Sequence, residues 1–224
     1  MGKSILIGFY RRSGSTLLMN LMKTFDSIDV YGEVHSLPIM LKSLMRNDKP
    51  EKDICLKPMD FVYLLLKSDY KKYFKVFDKF VWITRMPMDT FLSEMETGYM
   101  YLSHMSKKEK NGIRTKFFDR WKKIYSHYFD NDDKWYLIRY EDITDNPLKE
   151  FKDLSNYLDI DFNKEKLDLS SLNVRWDGGD TKILKTNKIH KKSRYRYKNE
   201  MNDKQINLFD DYIGNEINKL GYRV

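Results

Sequence analysis

Short apolar runs that alternate with segments of helical period most constrain what this chain can fold into. Ile5-Leu6-Ile7-Gly8-Phe9 is short and β-branched, the pattern of a strand buried on both faces. It breaks at Tyr10-Arg11-Arg12-Ser13-Gly14-Ser15, after which Leu17, Leu18, Leu21, Met22 and Phe25 recur at helical spacing. Ile54-Cys55-Leu56-Lys57 reads as a second short strand ended by Pro58, and the apolar run 61–66 as a helix. A third strand, Phe80-Val81-Trp82-Ile83-Thr84, leads through Arg85-Met86-Pro87 into a helix over about 88–101, with Pro87 at a favourable early position. Residues 103–113 are polar, contain Gly112 and read as a loop, before Phe117, Phe118, Trp121, Ile124, Tyr125 and Tyr128 mark an amphipathic helix. A fourth strand runs from Trp135 to Ile138 or Tyr140, and Asp145-Asn146-Pro147 opens a helix through Phe151, Leu154 and Leu158. Residues 163–181, with Gly178-Gly179, read as loop, and a last helix over 203–220 closes on Gly221. Strands alternating with helices predict an α/β fold: a mostly parallel sheet flanked by helices. No repeat or linker divides the chain, so 1–224 reads as a single domain.

The chain is too rich in apolar and aromatic residues, 41% and 15%, for a disordered segment. Its one cysteine, Cys55, excludes an internal disulfide framework and a multi-cysteine metal site. No run is long and apolar enough for a membrane span or a signal-peptide core, and Leu6 breaks the myristoylation pattern, so a cytoplasmic location is expected. The net charge of +8 points to an anionic partner. That charge is local. Residues 182–198 hold eight Lys or Arg and no acid; the 41 basic residues less these eight leave 33, matching the 33 acidic ones.

In open parallel sheets, ligands bind beyond the carboxyl ends of the strands. Three segments place polar residues there: 10–16, 85–93 and 139–142. A Gly/Ser turn between a buried strand and a helix N-terminus offers backbone N–H groups and a positive dipole end, an anion cradle to which Arg12, Ser13, Ser15 and Thr16 add donors. It is not a Walker A loop, because five residues separate Gly8 from Gly14 and no Lys follows. The bland alternative is a plain turn with Arg11 and Arg12 in solvent. In the second segment Arg85 leaves a strand and Ser93 follows two helical turns later, a pair able to hold a second phosphate. Its alternative is a surface Arg paired with Asp89.

With these residues in view, the chain resembles the PAPS-dependent sulfotransferases, whose sulfuryl donor is 3′-phosphoadenosine 5′-phosphosulfate (PAPS). Arg-Ser-Gly-Ser-Thr-Leu-Leu at 12–18 is similar to their 5′-phosphosulfate loop, and Arg85-x-Pro-x-Asp-x-x-x-Ser93 to their 3′-phosphate motif. Arg139-Tyr140-Glu141-Asp142 and Ser193-Arg194-Tyr195, with Lys192 beside it, resemble two further family segments. Arg12 in place of Lys resembles the tyrosylprotein and bacterial or carbohydrate-type members. The resemblance implies a P-loop-like sulfotransferase fold that moves a sulfuryl group from PAPS to a hydroxyl or amine. It places Ser13, Gly14, Ser15 and Thr16 at the 5′-phosphosulfate, Arg85, Ser93, Lys192, Ser193 and Arg194 at the 3′-phosphate, and Arg12 at the leaving oxygens. Tyr140 would pack near adenine, or serve as a buried strand aromatic. Tyr31-Gly32-Glu33-Val34-His35 resembles a catalytic segment, with Glu33 the first choice of general base and His35 its rival; if both face the cleft, Glu33 could orient His35. Lys185 is a further cleft candidate, and His104, His127 and His190 show no metal-ligand spacing, so no metal is expected. Residues 97–113 and 163–181, with Trp176, are expected to shape the acceptor pocket, for a carbohydrate, lipid, small molecule or peptide tyrosine. Two rival readings are a small kinase, which would need the absent loop Lys, and a nucleic-acid module using 182–198 with Tyr195 and Tyr197 for stacking.

Overall fold

A computed structural model of the chain describes residues 1–46, 49–60, 62–65, 72–97, 107–167, 189 and 191–223, with the backbone alone for 107–115 and 166. Among these residues one parallel sheet has the order β2-β3-β1-β4-β5, where β1 is Ser4–Phe9, β2 Ile28–Tyr31, β3 Asp53–Leu56, β4 Lys79–Thr84 and β5 Trp135–Arg139. Helices follow as α1 Ser15–Met22, α2 Glu33–Arg46, α3 Val62–Leu65, α4 Tyr73–Val76, α5 Pro87–Glu96, α6 Lys107–Phe129, α7 Tyr140–Asp145, α8 Pro147–Leu158, α9 Tyr197–Glu200 and α10 Asp203–Lys219. The expected α/β class is the observed one.

Every residue of β1 is buried because both faces of the sheet are covered. Ile5, Ile7 and Phe9 pack with α1, α7 and α8, whereas Leu6 and Tyr10 turn to the face covered by α4, α5, α6 and α10. That second face is built on Trp82, whose ring occupies the space above Gly8; a Cβ at Gly8 would stand 2.2 Å from it. The close approach requires glycine in mid-strand.

Two features place the site. The chain leaves β1 through α1 on one face and β4 through α5 on the other, so a crevice opens between the carboxyl ends of β1 and β4. Phe9 pairs with Ile83, and Ile83 with Ile138, so β1, β4 and β5 end at one level. β3 ends opposite β1's Leu6, three residues short, and Tyr63 Oη donates to the Ile7 carbonyl left beyond it (3.0 Å).

Several expectations are corrected. β2 was not foreseen: it has four residues, and Asp29 interrupts its apolar pattern. Helix α2 over Glu33–Arg46, for which no element was expected, forms despite Pro38. The loop expected over 103–113 is helical from Lys107, Gly112 included. Tyr140 is the first residue of α7, not the end of β5. The caps agree better: Pro147 stands at the start of α8 with Asn146 accepting from the Lys149 amide, and Gly221 follows α10 at φ 80°. His104, Trp176, Lys182, Lys185, Lys188 and His190 lie outside the described residues.

Candidate active site

The β1–α1 loop turns through two left-handed residues, Arg12 at φ 64° and Gly14 at φ 92°. Gly14 has a second reason to be glycine: a Cβ there would stand 2.4 Å from the Tyr140 ring, which lies against the loop. All of α1 is buried, so its first-turn amides, at Ser15 and Thr16, face the crevice floor with no side-chain cap. Ser13 is fully buried and its Oγ has no hydrogen-bond partner in the protein. A buried orphan hydroxyl beside a helix N-terminus fits an anion that supplies the missing acceptor.

Arg12 and Ser93 meet directly, Arg12 Nε donating to Ser93 Oγ at 3.1 Å. Arg85 is buried, donates from Nη1 to the Arg12 carbonyl (3.1 Å) and from Nη2 to the Ser193 carbonyl, and lies over the Tyr140 ring at 5.0 Å. Its Nε is buried without a partner. Arg85 is thus not a surface residue, and its guanidinium is directed to the Arg12 and Ser193 carbonyls. Asp89, fully buried, accepts from the Tyr197 amide at 3.0 Å. Burial pushes the Asp89 carboxyl up, and the Tyr197 amide and Arg85 pull it back. Arg194 reaches the Glu141 carbonyl (3.3 Å) and pairs with Asp145 (3.0 Å), as does Lys191 (2.6 Å). Lys192 is exposed beside them. The structure therefore gathers Arg12, Ser13, Gly14, Ser15, Thr16, Arg85, Ser93, Tyr140, Ser193 and Arg194 around one crevice.

Glu33 opens α2 at the end of β2, and its Oε1 accepts from Lys57 Nζ at 2.5 Å. Lys57 follows β3, is fully buried, and has Nζ 4.8 Å from the Phe9 ring centroid. Its amide donates to Tyr31 O (3.0 Å) and Ser36 Oγ (2.8 Å), which fixes the β2 and β3 ends together. His35 is exposed two residues along α2. Residues i and i+2 of a helix do not face one another, so the Glu33 carboxylate is directed by Lys57 and not toward His35.

Sequence reasoning missed a second charged group beside the loop. Glu94, fully buried, accepts from Arg120 Nη2 (2.9 Å) and Tyr10 Oη (3.3 Å) and forms an ion pair with Arg11, whose Nε lies 3.2 Å away. Arg11 also pairs with Asp60 at 3.1 Å, so it is not a free solvent cation. Burial raises the Glu94 carboxyl, against Arg120 and Arg11, which lower it. Glu141, likewise raised by burial, accepts from the Met86 amide (3.0 Å) and Tyr222 Oη (2.8 Å), tying the β4 exit to the C-terminal segment. Lys57-Pro58 had a local signal, a charged residue at a strand end, and Glu141 lay within the segment 139–142 already singled out, whereas Glu94 had none.

Among the described residues no group of His, Cys, Asp and Glu could hold a metal, and no helix is long and apolar enough to cross a membrane. No curated protein matches the chain in sequence. In fold it is similar to the sulfotransferase domain from the curacin biosynthetic pathway (TM-score 0.69, 16% identity, covering 100% of this chain and 98% of that one). It is also similar to mouse sulfotransferase SULT7A1 complexed with PAP (0.62, 17%, 96% and 84%). A third is retinol dehydratase in complex with androsterone and the inactive cofactor PAP (0.56, 12%, 99% and 82%). Residues 78–164, which carry Arg85, Ser93 and Tyr140 but neither Arg12 nor Glu33, match a family model described as the sulfotransferase family. That match runs from β4 through α8, on a chain whose fold is similar to that of solved sulfotransferases.

Proposed function

We propose that this chain, acting as one catalytic domain over 1–224, moves a sulfuryl group from PAPS to a hydroxyl or amine of an acceptor, a carbohydrate or small molecule, with Glu33 as general base. The observation that carries the reading is the convergence of Arg12, Ser93 and Arg85 at the β1–β4 crevice, with Ser13 Oγ buried and unpartnered beneath them. PAPS, when bound, supplies the sulfuryl group and a bisphosphorylated leaving group.

The loop amides and hydroxyls of 13–16 would hold its 5′ end, and Arg85, Ser93, Lys192, Ser193 and Arg194 its 3′-phosphate, with Tyr140 against the base. Arg12 is already oriented by Ser93, so it meets charge developing on a leaving oxygen without reorganising; a preorganised donor of this kind is worth about 10²–10³ in rate. Glu33 takes the acceptor's proton at Oε2 while Lys57 holds Oε1. Arg12, Arg85 and the first turn of α1 supply the positive charge the reading needs, so it calls for no metal.

Calorimetry tests the reading. 3′-Phosphoadenosine 5′-phosphate (PAP) should bind clearly more tightly than AMP, and equal affinities would overturn it. Glu33→Ala should abolish transfer and spare PAP affinity. Activity that survives in Glu33→Ala and vanishes in His35→Ala would transfer the base role to His35.

A further inference from the structure

The basic segment that follows residue 190 is bound to α5 in register. Arg85, just before α5, donates to the Ser193 carbonyl; Asp89 accepts from the Tyr197 amide; and Glu96 pairs with Arg196. Asp89, Ser93 and Glu96 are spaced four and three residues apart, so they share one face of the helix. Ser93, which meets Arg12, stands between the two carboxylates that hold the strap.

Arg196 is the most heavily engaged cation of this segment. Its Nη1 donates to Glu96 Oε2 (3.0 Å) and its Nη2 to Glu96 Oε1. Its Nε donates to Glu200 Oε1 (2.7 Å) and its Nη2 also to Glu200 Oε2 (2.9 Å). The guanidinium fork is thus used against two carboxylates, and the Arg196 side chain is only 19% exposed. One residue earlier, Tyr195 holds a left-handed backbone at φ 52°. A non-glycine residue remains in that conformation only where its surroundings hold it there. On one side Arg194 is anchored to α7 through Asp145 and the Glu141 carbonyl, and on the other Arg196 is anchored to α5 and α9.

We propose that Arg196, latched by Glu96 and Glu200, is a positioning residue that registers the strap on α5 and so sets the preference for a 3′-phosphorylated nucleotide. It does not touch the nucleotide. It holds Tyr195 in its turn, which fixes the Ser193 carbonyl on Arg85 and aims Arg194 at the crevice. This assigns part of the surplus positive charge of 182–198 to internal clamping rather than to ligand contact. The inference rests on the PAPS reading above and adds to it a residue that the family motifs do not include.

The test is calorimetry of the full chain with PAP and with AMP, alongside thermal melts, on wild type, Arg196→Gln, Glu96→Gln and Arg196→Lys. Arg196→Gln and Glu96→Gln should each weaken PAP roughly tenfold, the scale of one charge-assisted contact, and leave AMP within about twofold. Arg196→Lys, which keeps the charge but not the fork, should recover only part of the PAP affinity. If wild type prefers PAP and both neutral variants match it, the latch is refuted and the PAPS reading stands. If PAP and AMP weaken in parallel, Arg196 supports the fold generally and the latch is again refuted. If wild type itself shows no PAP preference, the nucleotide reading falls and the latch with it.

Discussion

Gly14→Ala isolates the contact between the β1–α1 loop and Tyr140. Alanine at φ 92° carries a left-handed backbone penalty of about 1–2 kcal/mol. Its Cβ would also stand 2.4 Å from the Tyr140 ring, which is buried between the loop and Arg85 and has little room to retreat. Such overpacking costs about 1–3 kcal/mol. The two terms together predict a loss of about 2–5 kcal/mol, on the order of 4–20 °C in Tm for a chain of this size. A double-mutant cycle separates them. In a Tyr140→Ala background the ring is gone, so Gly14→Ala should cost only the backbone part, about 1–2 kcal/mol. Thermal melts of the four proteins give the coupling, and PAP calorimetry of the same set reports whether the loop keeps its shape. An unchanged Tm for Gly14→Ala, or the same cost with and without the ring, would refute the packing of Tyr140 on the loop.

Three more predictions address the buried charges. Lys57→Met keeps the volume but leaves the Glu33 carboxylate without its ammonium partner, so turnover should fall by more than tenfold while PAP affinity holds; equal turnover would remove Lys57 from the site. Glu94→Ala strips Arg11, Arg120 and Tyr10 of their shared acceptor and should destabilise by about 2–3 kcal/mol, less than for fully buried cations because both guanidinium groups reach solvent; denaturant titration checks this. Glu141 holds its proton to higher pH in the folded state than in the unfolded chain, because burial raises it. Its contribution to stability is therefore lost as pH rises from the ordinary carboxylate range through the raised value. Glu141→Gln should accordingly gain in Tm relative to wild type as pH rises from the ordinary carboxylate range, and a variant-minus-wild-type difference in Tm that falls as pH rises would contradict the assignment.

The parts of the site legible in the sequence are those built from one continuous stretch. Arg12 to Thr16 and Arg85 to Ser93 each combine a strand end, a turn and a helix start, and local spacing carries all three. The Glu94 cluster left no such mark. Its members are brought together across separations of 26 to 110 residues, and singly its arginines and Glu94 read as surface charges. β2 escaped because four residues with an exposed Asp29 give neither a clear alternation nor a continuous apolar run. The start of α6 escaped because glycine and polarity argue for a loop, and continuation into the apolar face of 117–128 overrides that preference.

The strand order has a consequence for synthesis of the chain on the ribosome. β1 is the centre of the sheet, yet the two strands that flank it, β3 and β4, are made later, β4 ending about 75 residues after β1. At about 5–20 residues per second, a six-residue apolar segment with two open edges waits for roughly 4–15 s before both neighbours exist. Parallel pairing cannot be met early by a hairpin, so no local partner shortens the wait. Nascent-chain handling, more than the stability of the finished molecule, is where substitutions in Ser4–Phe9 would first be felt.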